Sequence, residues 1–382
     1  MTTQYGKKNS RLLPLLLVPA ILLCSMMLSL GVSAISEDWE EEDSGLDSDE
    51  LFSEAEQDLE KLEDLRGAKF ITVSDGQDVE IRTSGLWVLD GSASDVTVTV
   101  NADEADEVYL FLNGLTLENR DRPCFFIEEA GKVYLIPVDD CALTVSGAFR
   151  EDPEREADGV IYSRMDLTLV GEAPLRISSA GNGIVCRDKL RIIEGEYEIE
   201  AGAKAIAADN AIWIAGGDFL LTAQTDALRA ENKDDEQFSS VCICGGSFDI
   251  IAGGGGIFGR SLVQIDGGRI SVAAEEGITS AWVLITGGTT NSQTRGDGIV
   301  ARGESDDRRP TVEITGGTVY VTAEGKDAYA IASEADLIIS GGSVWITDAE
   351  VYYGGTADHS GGTVIIDGKI VREIKSARRA SA

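Results

Sequence analysis

The chain has 382 residues, 43 of them glycine, with 67 acidic against 32 basic residues and a net charge of −35 at pH 7. A surface this acidic repels phosphate backbones, which excludes nucleic acid as a partner. One histidine and six cysteines without a repeated spacing leave little material for a catalytic triad or a disulfide framework.

At the start of the chain, Lys7, Lys8 and Arg11 precede an apolar run from Leu12 to Leu30 and a small-residue site at Val32-Ser33-Ala34. This pattern predicts a signal peptide over 1–34, cut after Ala34, and a secreted or cell-surface protein with no membrane span once the signal is removed. Pro14 and Pro19 interrupt the run and argue against a retained anchor. Residues 35–66 form an acidic linker. Within it Leu51, Ala55, Leu59, Leu62 and Leu65 fall at helical spacing, predicting a short helix from Glu50 to Arg66 that covers the open first coil of the solenoid downstream.

Between Leu190 and Gly342 one phrase recurs seven times: two alternating apolar residues, then a glycine turn. Examples are Ile212-Trp213-Ile214 before Gly216-Gly217 and Val312-Glu313-Ile314 before Gly316-Gly317. A second alternating run follows most turns, as in Phe219 and Leu221 or Val344 and Ile346, and a third short strand follows in most units, as in Asp226-Ala227-Leu228. Period two is the signature of strands. Three strands in a unit of about 20 to 22 residues predict an all-β chain over 67–368, wound as a right-handed parallel β-helix. Polar stretches at Asn232 to Ser240 and Gly303 to Pro310 read as loops leaving the solenoid, and residues 369–382 as a basic, solvated tail.

Three phrases, Gly85-Leu86-Trp87-Val88-Leu89-Asp90-Gly91, Val108 to Leu117 with its Leu112-Asn113-Gly114, and Asp166-Leu167-Thr168-Leu169-Val170-Gly171, carry a family likeness. With the Asp-Gly-Ile and Gly-Gly-Thr-Val repeats, the chain resembles the secreted carbohydrate-binding β-helix family of Gram-positive anaerobes, whose members resemble pectate lyases in fold. The resemblance covers roughly Phe70 to Asp367. It implies binding of cell-wall or plant polysaccharide or of acidic sugars, with calcium held by acids at coil turns. The acid that opens the third strand is present at Asp158, Asp226, Asp297 and Asp327, and is replaced by Asn182, Lys204, Gly255 and Glu276 elsewhere.

In a β-helix, equivalent residues stack about 4.8 Å apart, so columns form the sites. Glu276, Asp297 and Asp327 are the first choice for a shared calcium ion, and Asp158 beside Asn182 the second. Such residues also accept turn hydrogen bonds, the competing role. Tyr320 and Trp345 point outward one coil apart, with Tyr352 and Tyr353 near in sequence, and could stack sugar rings or form a cross-strand aromatic pair. Cys242 and Cys244 point the same way from one strand and read as small outward residues, since a pair two apart lacks the second pair of a zinc motif.

His359 sits in a Gly- and Ser-containing turn and reads as a surface residue; Arg229, Arg260 and Arg302 are bases by type alone. The sequence therefore points to a non-catalytic secreted polysaccharide binder. Neutral glucan would bind by stacking and acidic sugar through calcium. A polysaccharide lyase and a surface adhesin or spacer are the alternatives.

Overall fold

The protein is described by a computed structural model covering residues 45–60, 62, 65–152, 156–232, 239–303 and 309–377. The expected signal peptide, the middles of both polar loops and the last five residues lie outside the described residues. The rest is a parallel β-helix of about twelve coils, as its twelve-stranded sheet of third strands shows. The other strands form a second sheet of twenty-two, because in early coils one long strand, such as Lys189–Ala201, runs through the glycine turn and serves two faces. Each coil thus has a before-turn face, an after-turn face and a third face.

Period two puts alternate side chains into the prism, and the registers stack them on their equivalents. Leu190, Ile212, Val241, Val263, Val283, Val312 and Leu337 form one inward column, all fully buried. After the turn the inward column begins with rings. Tyr197 stacks on Phe219 at 5.1 Å, and Phe219 on Phe248 at 4.4 Å with 2° between planes.

The glycine turns stack as tightly. A Cβ on Gly316 would lie 2.0 Å from the Thr286 carbonyl oxygen, and Gly317 has φ +73°, which side chains disfavour.

The helix forms, but neither where nor as long as expected. Helix α1 spans Ser48–Glu60. Asp47 caps it: its carboxylate accepts the Asp49 N–H at 3.0 Å, and Asp49 and Glu50 sit in the positive first turn.

It does not close the first coil. Ala55 and Leu59 pack on outward residues of the before-turn face, Val88, Tyr109, Phe111, Tyr134, Ile136 and Val170. Asp58, 2% exposed, pairs with Lys132 and accepts the Tyr134 hydroxyl at 2.9 Å. Leu51 O accepts Arg191 Nε at 3.3 Å, and the Leu46 backbone exchanges two hydrogen bonds with Gln264. The segment is therefore a strap that runs against coil order along one flank. Those outward residues are apolar because the strap covers them.

The tail differs too. Lys369–Val371 pairs antiparallel with Thr363–Ile366, Ile374 is 5% exposed, and Ala377 N–H donates to Val351 O, so residues 369–377 fold over the last coil.

Candidate functional site

The outward column of the third face is Phe126, Tyr162, Val185, Ala207, Arg229, Phe258, Thr279, Val300, Ala332 and Tyr352. Phe126, Tyr162 and Val185 pack with Ala157 and are buried. From Ala207 onward the column is the floor of an open groove.

Charged and amide side chains stand on both sides of that floor. Strand entry contributes Asp158, Asn182, Lys204, Asp226, Glu276 and Asp297, and strand exit contributes Arg187, Asp209, Glu231, Arg260, Arg302 and Glu334. Several of them pair with opposite charges. Arg187 Nε lies 3.0 Å from Asp209, and Arg229 reaches Asp226 at 2.8 Å and Glu231 at 3.0 Å while its guanidinium lies over the Phe258 ring at 4.1 Å. A cavity of about 400 Å³ opens here, with Val185 and Ala207 below and Asp158, Lys204, Asp209 and Glu231 around it.

Farther along, Tyr329 and Tyr352 rings meet at 5.4 Å beside a smaller cavity of about 60 Å³. Burial holds the Tyr162 phenol above its ordinary value, so the covered end of this floor carries a neutral hydroxyl.

The expected acid column does not assemble as a calcium site. Asp327 is exposed and out of register: Ile299 pairs with Ile331, which places Tyr329 above Asp297. Asp327 stands four residues before inward Ile331, where Asp297 stands two before Ile299, so an insertion of two residues leaves it outside the strand Tyr329–Ser333. Arg302 holds both carboxylate oxygens of Glu276, at 3.1 and 2.6 Å.

The remaining members serve the turns. Asp297 accepts the Tyr329 N–H at 2.7 Å, Asp226 the Gly255 N–H at 2.8 Å, and Asn182 Oδ1 the Lys204 N–H at 3.0 Å, while Asn182 donates to Asp158 at 2.9 Å. These acids and amides knit each coil to the next.

Tyr320 and Trp345 are neighbours in register on the after-turn face, 42% and 40% exposed. Their ring centroids are 6.1 Å apart with 26° between planes, so each covers part of the other and their free surfaces face solvent. Tyr352 and Tyr353 do not join them. Tyr352 belongs to the third face, and Tyr353 is held by the tail, its hydroxyl donating to Ile374 O at 3.1 Å.

His359 is not a turn residue. It sits at the end of strand Ala357–His359, above inward Ile339, with Nδ1 buried and unpaired. Arg229 and Arg302 are each clasped by carboxylates, which occupy the guanidinium. Sequence reasoning found the entry-side column but missed the strand-exit wall, with Arg187, Asp209, Glu231 and Glu334. The available signal was the recurrence of charge three positions after the inward residue of most third strands, as in Ile206 to Asp209 and Leu228 to Glu231.

A family described as "Carbohydrate-binding domain-containing protein" matches residues 75–282 and 273–369. A solved polysaccharide lyase-like protein from C. thermocellum, determined as a gadolinium derivative, is similar at 19% identity, with 78% of this chain and 96% of that chain covered and a TM-score of 0.43. No curated protein matches the chain.

Proposed function

The chain belongs to the carbohydrate-binding domain family, and from that membership we propose that it is an exported, non-catalytic polysaccharide-binding protein whose glycan lies along the third-face groove. One observation carries this reading: a cavity with the apolar floor Val185 and Ala207, walled on both sides by planar side chains with paired hydrogen-bonding groups. Arg, Asp, Glu and Asn meet vicinal hydroxyls two at a time, and the small residues Val185 and Ala207 leave room for a ring above the floor. The walls carry both signs and several of their charges are paired, which suits an uncharged glycan. Tyr320 and Trp345 form a secondary stacking point on the adjoining face.

Calcium bridging of acidic sugars is the second reading, favoured by the overall negative charge, which requires a cation between protein and polyuronate. Retention on insoluble glucan and on a polyuronate, with and without chelator, tests both. The groove reading expects Arg229→Ala to cut glucan retention at least tenfold with chelator irrelevant; wild-type retention by that variant removes it. The calcium reading expects polyuronate retention to vanish in chelator, and retention that persists removes that one.

A further inference from the structure

Beneath the strap, on a different face from the groove, two coils bring together three metal-ligating side chains. Cys242 and Cys244 lie on the strand Ser240–Ile243 and just past its end, and Asp266 follows Gln264, which stacks on Cys242. The Cys242 and Cys244 sulfurs are 3.7 Å apart, and Cys242 Sγ lies 4.0 Å from Asp266 Oδ2. All three ligand atoms fall within 4.8 Å of one another, the one such group among the described residues.

From this the geometry points to a site for a thiophilic divalent cation, Zn²⁺ by its chemistry, held by Cys242, Cys244 and Asp266. Two thiolates on one tetrahedral zinc at about 2.3 Å each sit about 3.8 Å apart, the separation already present. The coil spacing therefore supplies what a pair two apart in sequence lacks, a third ligand from the next rung. A disulfide fits less well. Residues two apart on a strand are separated by about 6.6 Å with parallel side chains, near the upper limit for bridging.

The carboxylate is oriented from behind. Thr286 donates to Asp266 Oδ1 at 2.6 Å and Gln264 Nε2 to Oδ2 at 2.7 Å, the kind of support that fixes a ligating carboxylate. Gln264 is in turn fixed by Leu46, whose N–H donates to Oε1 at 2.7 Å and whose carbonyl accepts Nε2 at 2.8 Å. Cys242 lies between the rungs where the strap touches Gln264 and Arg191, and it is fully buried although it faces outward. Thiols hidden from bulk water beside an oriented carboxylate, with Cys244 still partly open, make a site with an entry path. Cys124, Cys141 and Cys186 are buried in the prism and stand apart from it.

The test is titration of the reduced, full-length protein with Co²⁺, followed by displacement with Zn²⁺. The expected result is a thiolate-to-cobalt charge-transfer band that saturates at one equivalent and is bleached by Zn²⁺. Cys242→Ser and Cys244→Ser abolish it, Asp266→Asn weakens Zn²⁺ affinity about tenfold or more, and Cys141→Ser leaves the titration unchanged. In the folded wild type, Zn²⁺ slows alkylation of Cys244 at least tenfold, a measurement that needs no variant to fold. The proposal is overturned by an absent or non-saturating band, by a band that survives Cys242→Ser, by an Asp266→Asn titration identical to wild type, or by equal alkylation rates with and without Zn²⁺.

Discussion

Two outward columns of this solenoid are apolar, and they differ in what lies over them. On the before-turn face, Tyr109, Phe111, Tyr134 and Ile136 are covered by helix α1, a segment of the same chain. On the third face, the column from Ala207 to Tyr352 is mostly apolar, with Arg229 and Thr279 as its polar members, and between Asp158 and Asn232 the face is open as a cavity. An outward apolar residue in a β-helix is thus explained by its cover, and where the chain supplies none, a flat ligand with apolar faces and polar rims is the natural occupant.

The sharpest way to break the contrast is to strip the covered face. Asp58→Ala removes the carboxylate that Lys132 and Tyr134 share beneath the helix, while Lys132 keeps Glu54 at 2.9 Å, and should weaken strap docking by about 1 to 3 kcal/mol, read as faster hydrogen exchange over 48–60 while glycan retention stays at the wild-type level. Loss of retention would show that the strap, and not the groove, organises binding.

Filling the open face is the converse. Ala207→Phe places a ring in the cavity without touching the prism interior and should lower glycan affinity tenfold or more, about 1.4 kcal/mol or above, with the melting temperature little changed. Trp345→Ala should cost less, about 0.5 to 1 kcal/mol in affinity, by the same retention assay; a larger loss than at Ala207 would exchange the roles of the two faces.

The smallest effect concerns the coil joints that both faces share. Burial pushes the Asp336 carboxyl up, but the Thr356 N–H and hydroxyl and the Arg309 guanidinium outweigh it and hold it below its ordinary 3.8. A depressed carboxyl stabilises fully above its unfolded value and loses that contribution as pH falls through the folded one. Asp336→Asn should therefore flatten the loss of stability below about pH 4 by less than 1 kcal/mol in acid denaturation, and an unchanged acid limb would remove Asp336 from that loss.

Most of the prism was legible because period two and recurring glycines determine which residues point inward. Val312, Ile314, Val319 and Val321 need no coordinates to be placed in the core. Their outward neighbours were harder, because a column exists only once rungs are registered. Tyr320 and Trp345 could be paired, since each lies three residues past its glycine turn, whereas Asp327 was misplaced by two inserted residues. The strap was illegible for a related reason. Leu51, Ala55 and Leu59 announce an apolar helical face, but nothing local shows that its counterpart is Tyr109, Tyr134 and Val170 along the flank and not an exposed end. The entry-side wall was read as a column of acids, but the exit-side wall of Arg187, Asp209, Glu231 and Glu334 stayed hidden because each coil contributes only one of its charges.

Because the strap travels backwards, Gly45 lies beside Gln264, well along the rod and far from its first coil. The described chain therefore opens at mid-length, and the first coil and the last are both free of it. A cut between Gly45 and the helix would sever the contact with Gln264 and leave the prism whole.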